Sequence, residues 1–125
     1  MINSTFMQEI IKKRTKQIGL DIIKLIDELP AKPSSWAISK QLIRSSTSIG
    51  ANYRATCRAK SNLDFINKLK IVEEEADETI YWLELLEESG LISTSHIEPI
   101  KKETNEILSI IVASINTMKR NNLKS

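Results

Sequence analysis

The sequence predicts an all-α fold, specifically an antiparallel up-down-up-down four-helix bundle. Three observations lead to this prediction. Apolar residues recur at spacings of three, four and seven along most of the 125 residues. Three glycines and three prolines are few for a β protein, which needs a turn roughly every 8–12 residues. Short polar stretches separate four segments of helical periodicity, and such connections are typical of antiparallel neighbours in a bundle.

The helices are expected to form one domain over residues 1–125, because this length supplies one hydrophobic core and hardly two. Pro30 should end the first helix, and Ser34 or Ser35 can cap the second. Ser61 can cap the third helix and Gly90 can terminate it. The predicted helices span about residues 5–29, 35–60, 62–89 and 96–120.

The second helix divides into an apolar face and a basic face. A helix of this kind packs into a core while it presents charge to solvent. The basic face contains no aromatic residue that would stack on bases, so we expect contacts to phosphates that depend little on nucleotide sequence. The four cations of this stripe, which are the candidate nucleic-acid-binding residues, are Lys40, Arg44, Arg54 and Arg58.

Charge is distributed unevenly along the chain. Residues 1–70 carry 13 basic and 5 acidic residues, whereas residues 71–125 carry 5 and 11, although the whole chain has a net charge of only +2. Basic helices that pack beside acidic ones, within a chain or between chains, would explain this pattern. A nucleic-acid footprint on the basic half is the alternative. A further basic cluster near the start of the first helix, for which solvation of an exposed face is the simpler explanation, comprises Lys12, Lys13, Arg14 and Lys16.

Small residues at positions 45–51 (SSTSIGA) are unusual for a helix interior, because serine, threonine and glycine have low helix propensity. They indicate either a tight helix–helix contact or a groove that accepts a ligand or peptide. Asn52 follows this run on a flank of the helix. We expect Asn52 to be structural, with its amide hydrogen-bonded to a neighbouring helix.

The third helix has a second apolar set that lies well away from its main apolar stripe. One stripe is enough to join a monomeric bundle, so a second one that includes a tryptophan indicates a subunit interface. The sequence therefore predicts a homo-oligomer. The interface residues are Ile71, Trp82 and Leu85.

The sequence offers no recognisable catalytic constellation. The acidic run at residues 73–78 fits a solvated or salt-bridging face better than a di-iron site, because the chain lacks the two Glu-x-x-His pairs that such a site needs. His96 is the only histidine, and Cys57 is the only cysteine. No apolar run predicts a signal peptide or a membrane span. We therefore expect a cytoplasmic, non-enzymatic protein without metal, cofactor or membrane partner.

The second helix, through residues 41–44 (QLIR) and 48–52 (SIGAN), resembles the bacterial 23S rRNA intervening-sequence proteins. Residues 65–69, 75–78 and 82–86 of the third helix continue the likeness, which extends from about residue 8 to 120. Members commonly carry an acidic residue and then a glycine where Ala55 and Thr56 stand here. The family is similar in fold to accessory proteins of diversity-generating retroelements, which are basic pentamers that bind nucleic acid and a reverse transcriptase. The resemblance thus implies a pentameric four-helix bundle with no established catalytic residue.

Two functional hypotheses follow. The first is an oligomeric, non-enzymatic interaction module that binds RNA or DNA through the basic stripe of the second helix. The alternative is an assembly protein that binds a protein partner and has no nucleic-acid role. The two hypotheses differ in whether the cations of the stripe are free or are paired with carboxylates of the third helix.

Overall fold

Four α-helices make up the bundle. The computed structural model describes residues 4–124, with α1 at Thr5–Asp27, α2 at Pro33–Thr56, α3 at Asn62–Ser89 and α4 at Thr94–Lys124. Each helix packs on the next in chain order, and α1 also packs on α4, so α1 and α3 lie diagonally across the bundle. The short connections reverse the chain between successive helices, which makes neighbours antiparallel. The predicted four-helix fold is confirmed.

One hydrophobic core joins all four helices. Its members recur at the helical spacings seen in the sequence, because positions three and four apart lie on one face of a helix. Burial of each aliphatic side chain contributes about 1.5–3 kcal/mol to folding. Within residues 4–124, no helix combines the length and apolarity that crossing a membrane requires. The largest fully buried side chains are Tyr53, Ile11, Ile18, Ile22, Leu42, Ile49, Leu69, Leu83, Leu86, Ile97, Ile107 and Ile111.

The helix ends agree with the sequence for α3 and differ from it for α2. Ser61 caps α3, because its Oγ accepts a hydrogen bond of 3.0 Å from the Asp64 N–H. Gly90 ends α3 with a φ of 74°, a left-handed conformation that glycine adopts without a steric penalty. By contrast, α2 begins at Pro33, which needs no N–H donor at the first helical position. Neither predicted serine caps α2, since the N-cap is Lys32 without a side-chain hydrogen bond.

The other differences between the predicted and the observed helix bounds are shifts of two to four residues at helix ends. Helix α1 ends two residues before the predicted 29, and α2 ends four residues before the predicted 60. Residues 57–61 instead form the connection that reverses the chain before α3. Helix α4 begins at Thr94 and continues to Lys124, beyond the predicted 120.

The hydroxyl-rich run of α2 satisfies its polar groups locally. Thr47 and Ser48 donate hydrogen bonds of 2.7 Å to carbonyls one turn earlier, those of Ile43 and Arg44. Such back-bonding lets serine and threonine lie inside a helix without an unpaired hydroxyl. Ser45 additionally lies 2.9 Å from the Thr79 hydroxyl, Oγ to Oγ1, in a buried contact between α2 and α3.

Two glycines let α1 and α2 approach closely. A Cβ built on Gly50 would lie 3.4 Å from the Thr15 Oγ1 and 3.5 Å from the Lys16 backbone nitrogen. A Cβ built on Gly19 would lie 3.6 Å from the Thr47 Cγ2. A methyl group at either position would thus make ordinary van der Waals contact with the facing helix, and at Gly50 it would touch the backbone of α1. The small-residue run therefore forms the tight helix–helix contact that was one of its two interpretations.

This contact predicts a sharp size limit at residue 50. Gly50→Leu should lower the free energy of unfolding by about 1–3 kcal/mol, because the added atoms would meet the backbone of α1. Gly50→Ala is the matched control and should stay within about 1 kcal/mol of the wild type, since helix propensity favours alanine. Chemical denaturation followed by circular dichroism measures both changes. Equal stability of the leucine variant and the wild type would show that the helices are not in close contact here.

Candidate functional site

The four cations of the predicted stripe are all exposed, but they are not equivalent. Lys40, Arg44 and Arg54 lie on α2, whereas Arg58 lies in the connection just past the end of the helix. The prediction that α2 continues to residue 60 was wrong, so Arg58 is not part of a helical stripe. Its backbone N–H bonds to the carbonyl of Ala55 at 3.1 Å, in a turn that follows the helix.

Arg44 forms ion pairs within the bundle. Its guanidinium lies 3.1 Å from the Glu75 carboxylate and also bonds to Glu78, so it joins α2 to α3. The hydrogen bond that Arg44 donates to the Glu78 carboxylate raises the pKa of Arg44. Hydrogen bonds from the Trp82 indole and from Arg44 lower the pKa of Glu78. The charge of Arg44 is therefore balanced by α3, as the charge-pairing explanation of the uneven distribution expects.

Arg14 has the same role on the other side of the bundle. Its guanidinium bonds to Glu103 of α4 through two nitrogens, at 2.8 and 2.7 Å, and to Glu106 at 2.8 Å. The hydrogen bond to Glu103 is the main reason that the pKa of Arg14 is raised. Of the basic cluster in α1, Arg14 is thus tied to acidic residues of the second half of the chain.

Four further cations of α1 and α2 lie along one groove between these helices. A groove of about 540 Å³ lies between these helices, and Lys12, Lys13, Lys16 and Arg54 line it. Glu9 is the acidic residue in the lining, and it is paired with Lys12 at 3.2 Å. Lys13, Lys16 and Arg54 have no ion pair within residues 4–124, and neither have Lys40 and Arg58. We call this feature the α1/α2 groove.

The floor of the α1/α2 groove is the close contact between the two helices. Gly19, Thr47 and Gly50 lie along it, so no large side chain fills the space between the flanking lysines and Arg54. Leu20 and Ile23 of α1 add exposed apolar surface to the lining. The tight contact thus has an open groove above it, and acceptance of a ligand or peptide there, the second interpretation of the small-residue run, stays a prediction.

The sequence analysis did not predict that the lysines of the basic cluster at residues 12–16 of α1 and Arg54 of α2 line the same groove. Each lies on its own helix, and a single sequence does not specify which helix faces which. The available signal was the pair Gly19 and Gly50, because glycines inside two adjacent helices indicate a close approach. That approach places Lys16 and Arg54 on one groove.

The predicted interface set on α3 is only partly exposed. Ile71 keeps 44% of its surface exposed, while Trp82 and Leu85 are half-buried. Trp82 packs against the core, and its Nε1 donates a 2.9 Å hydrogen bond to Glu78. Its ring meets that of Tyr81 edge to face, with centroids 5.1 Å apart. Tyr81 is 51% exposed, so it extends the outward apolar surface that the sequence assigned to Trp82.

Asn52 is half-buried and bonds within its own helix. Its Nδ2 donates a 2.8 Å hydrogen bond to the carbonyl of Ser48, one turn earlier. The structure therefore differs from the expectation of a bond to a neighbouring helix. Removal of this amide would leave no group without a partner, because the Ser48 carbonyl also accepts the backbone bond of the helix.

Neither Cys57 nor His96 forms part of a reactive cluster in the described chain. Burial raises the pKa of the half-buried Cys57 thiol and so favours its unreactive protonated form. His96 is exposed, with its Nε2 3.3 Å from a Glu28 carboxylate oxygen. Among residues 4–124, no three side chains of histidine, cysteine, aspartate or glutamate are placed to hold a metal ion.

Comparison with known proteins agrees with the geometry. The family of 23S rRNA-intervening sequence proteins matches residues 7–113. The crystal structure of a protein of unknown function from the S23 ribosomal protein family of Bacteroides thetaiotaomicron has a TM-score of 0.80 to this chain. The two share 38% sequence identity, over 87% of this chain and 97% of that one. No curated protein sequence matches. The resemblance seen in residues 41–52 is confirmed, and the chain belongs to the family of 23S rRNA-intervening sequence proteins.

Proposed function

We propose that this protein is a non-catalytic module that binds the phosphate backbone of RNA or DNA in the α1/α2 groove. One observation carries the proposal. Lys13, Lys16 and Arg54 converge on one groove and have no carboxylate partner in the described chain. Each would neutralise a phosphate and release condensed counterions, which is the main source of affinity in nonspecific binding.

The contrast with two arginines that form ion pairs within the bundle supports this choice of surface. Arg14 and Arg44 each bond to two carboxylates, and both connect neighbouring helices. They therefore stabilise the fold, whereas Lys13, Lys16 and Arg54 form no ion pair within residues 4–124. Lys40 and Arg58 are exposed and unpaired within residues 4–124, so they would extend the basic surface beyond the groove.

The second candidate is a protein partner in the same groove. Leu20 and Ile23 give the lining an apolar component that a phosphate backbone does not need. An acidic partner with apolar side chains would satisfy both components. This candidate makes no use of nucleic acid, so the binding experiment below separates it from the first.

A charge-reversal experiment tests phosphate binding in the groove. Fluorescence anisotropy with labelled duplex DNA and structured RNA should show that wild-type affinity falls roughly 40- to 500-fold between about 50 and 200 mM salt, as expected for three to five phosphate contacts to a duplex. Lys16→Glu/Arg54→Glu should abolish binding at the higher salt. Lys102→Glu/Lys119→Glu makes the same change in net charge on exposed residues of α4 and should bind nearly as the wild type does.

Two outcomes would contradict the proposal. Equal loss of binding in both double variants would show that net charge, and not the groove, determines affinity. Absence of wild-type binding at the lower salt would leave the protein-partner candidate. Circular dichroism melting of each variant verifies that the bundle remains folded.

We further propose that the chain self-associates through the outward face of α3. Ile71 and Tyr81 supply the exposed apolar surface there, and the half-buried Leu85 adjoins it. Apolar residues grouped on the outside of a bundle commonly mark an interface between proteins. The likeness to retroelement accessory proteins favours five copies.

Light scattering coupled to gel filtration tests self-association. The wild type should have a mass several times 14.2 kDa, and Ile71→Glu/Tyr81→Glu should shift it toward that of one chain, because buried unpaired charges are costly. Trp82 is a poorer target, since it also packs on the core. Phe6→Glu, at an exposed apolar residue of α1, is the control that should leave the mass unchanged. A wild-type mass of one chain at micromolar concentration would refute this interface.

A further inference from the structure

We infer that the nucleic acid bound on this face is single-stranded, and that Trp36 stacks on one of its unpaired bases. The inference rests on the proposed phosphate binding and assigns its substrate class. It adds to the lysines and Arg54 an aromatic platform that the sequence analysis did not recognise. The juxtaposition of exposed tryptophan and unpaired cations on one side of α2 is the observation that carries it.

Trp36 is an exposed aromatic residue on a rigid element. It is 65% exposed and is not among the residues that pack against the hydrophobic core, unlike Trp82. Its backbone N–H bonds to the carbonyl of Lys32 at 3.1 Å, so its position at the start of α2 is fixed by the helix. An exposed indole on an ordered backbone offers a flat apolar surface at little cost in conformational entropy.

Cations flank this tryptophan along the helix. Lys40 lies one turn after it on the same face of α2, and Lys32 lies one turn before it at the N-cap. Neither lysine has an ion pair within residues 4–124. A base stacked on Trp36 would therefore have a lysine available to the phosphate on each side of it.

The same face of α2 continues to the groove. Trp36, Lys40, Thr47 and Arg54 are spaced by four, seven and seven residues, which keeps them on one side of a helix. At about 1.5 Å per residue, Trp36 lies roughly 27 Å from Arg54 along the axis. A strand that follows this line would contact Lys40 and then the groove cations. Such a strand would add a stacking contact at Trp36 to the phosphate contacts that the sequence predicts.

Stacking distinguishes a single strand from a duplex. In a duplex both faces of each base are covered by neighbouring bases, so an outer tryptophan meets only the backbone. In a single strand a base can turn onto the ring, and base–aromatic stacking contributes to binding with little dependence on sequence.

Affinity and fluorescence measurements test the inference. Single strands of 15 nucleotides, oligo-dT and oligo-U, should bind the protein more tightly than a duplex of equal length does. Anisotropy titrations at one salt concentration compare the affinities. Trp36→Ala should weaken binding of the single strands roughly 5- to 150-fold, the change expected for one stacked base, and should leave duplex affinity unchanged. Trp36→Phe retains an aromatic ring and should restore much of the loss. In Trp82→Phe protein, where Trp36 is the remaining tryptophan, the single strands should quench the emission.

Three results would overturn the inference. Equal affinity for single strand and duplex, together with no effect of Trp36→Ala, would leave phosphate binding intact but remove the stacking role. A fall in the mass of Trp36→Ala by light scattering would assign the tryptophan to contacts between copies. No binding of either nucleic acid would overturn the proposed function as well. The anisotropy comparison needs no change at Trp82, so it stands even if Trp82→Phe impairs folding.

Discussion

The close contact between α1 and α2 is the constraint on which the rest of the surface depends. Gly50 leaves so little space that the backbone of Thr15 and Lys16 lies within van der Waals distance of a hypothetical Cβ. An open floor between the two helices follows, because no large side chain fills the space above the contact. The same approach that closes the core on one side thus opens a groove on the other. Lys16 and Arg54 meet there only because the two backbones are close.

Charge pairing between the halves of the chain explains which cations are left on that groove. The carboxylates that bind Arg44 belong to the acidic helix α3, and those that bind Arg14 belong to α4, so each set of ion pairs crosses a helix–helix contact. At the α1/α2 contact both helices are basic. Among the described residues, Glu9 is the one acidic residue that lines the groove. The uneven charge of the sequence therefore has two consequences. It stabilises the α1/α4 and α2/α3 contacts and leaves the α1/α2 contact positively charged.

The sequence predicted what depends on local periodicity and missed what depends on neighbours. Four helices, the Ser61 cap and the Gly90 terminus were predicted, because each follows from residues within one turn of one another. The pairing of Arg44 with Glu75 was left open, since it depends on how α2 is aligned with α3. Trp36 escaped notice because an apolar residue near the start of a helix is commonly part of the core. Only the position of α2 in the bundle places that side chain outside.

The geometry of the bundle makes assembly and nucleic-acid binding compatible. Helices α1 and α3 do not contact each other and lie on opposite corners of the bundle. An interface built on Ile71 and Tyr81 of α3 would therefore leave the α1/α2 groove open to solvent. Repetition of the groove around an oligomer would then join weak phosphate contacts on one strand, and the effective concentration of each further site would raise affinity without any new contact. A surface with few cations per chain gains more from such repetition than one that binds tightly alone.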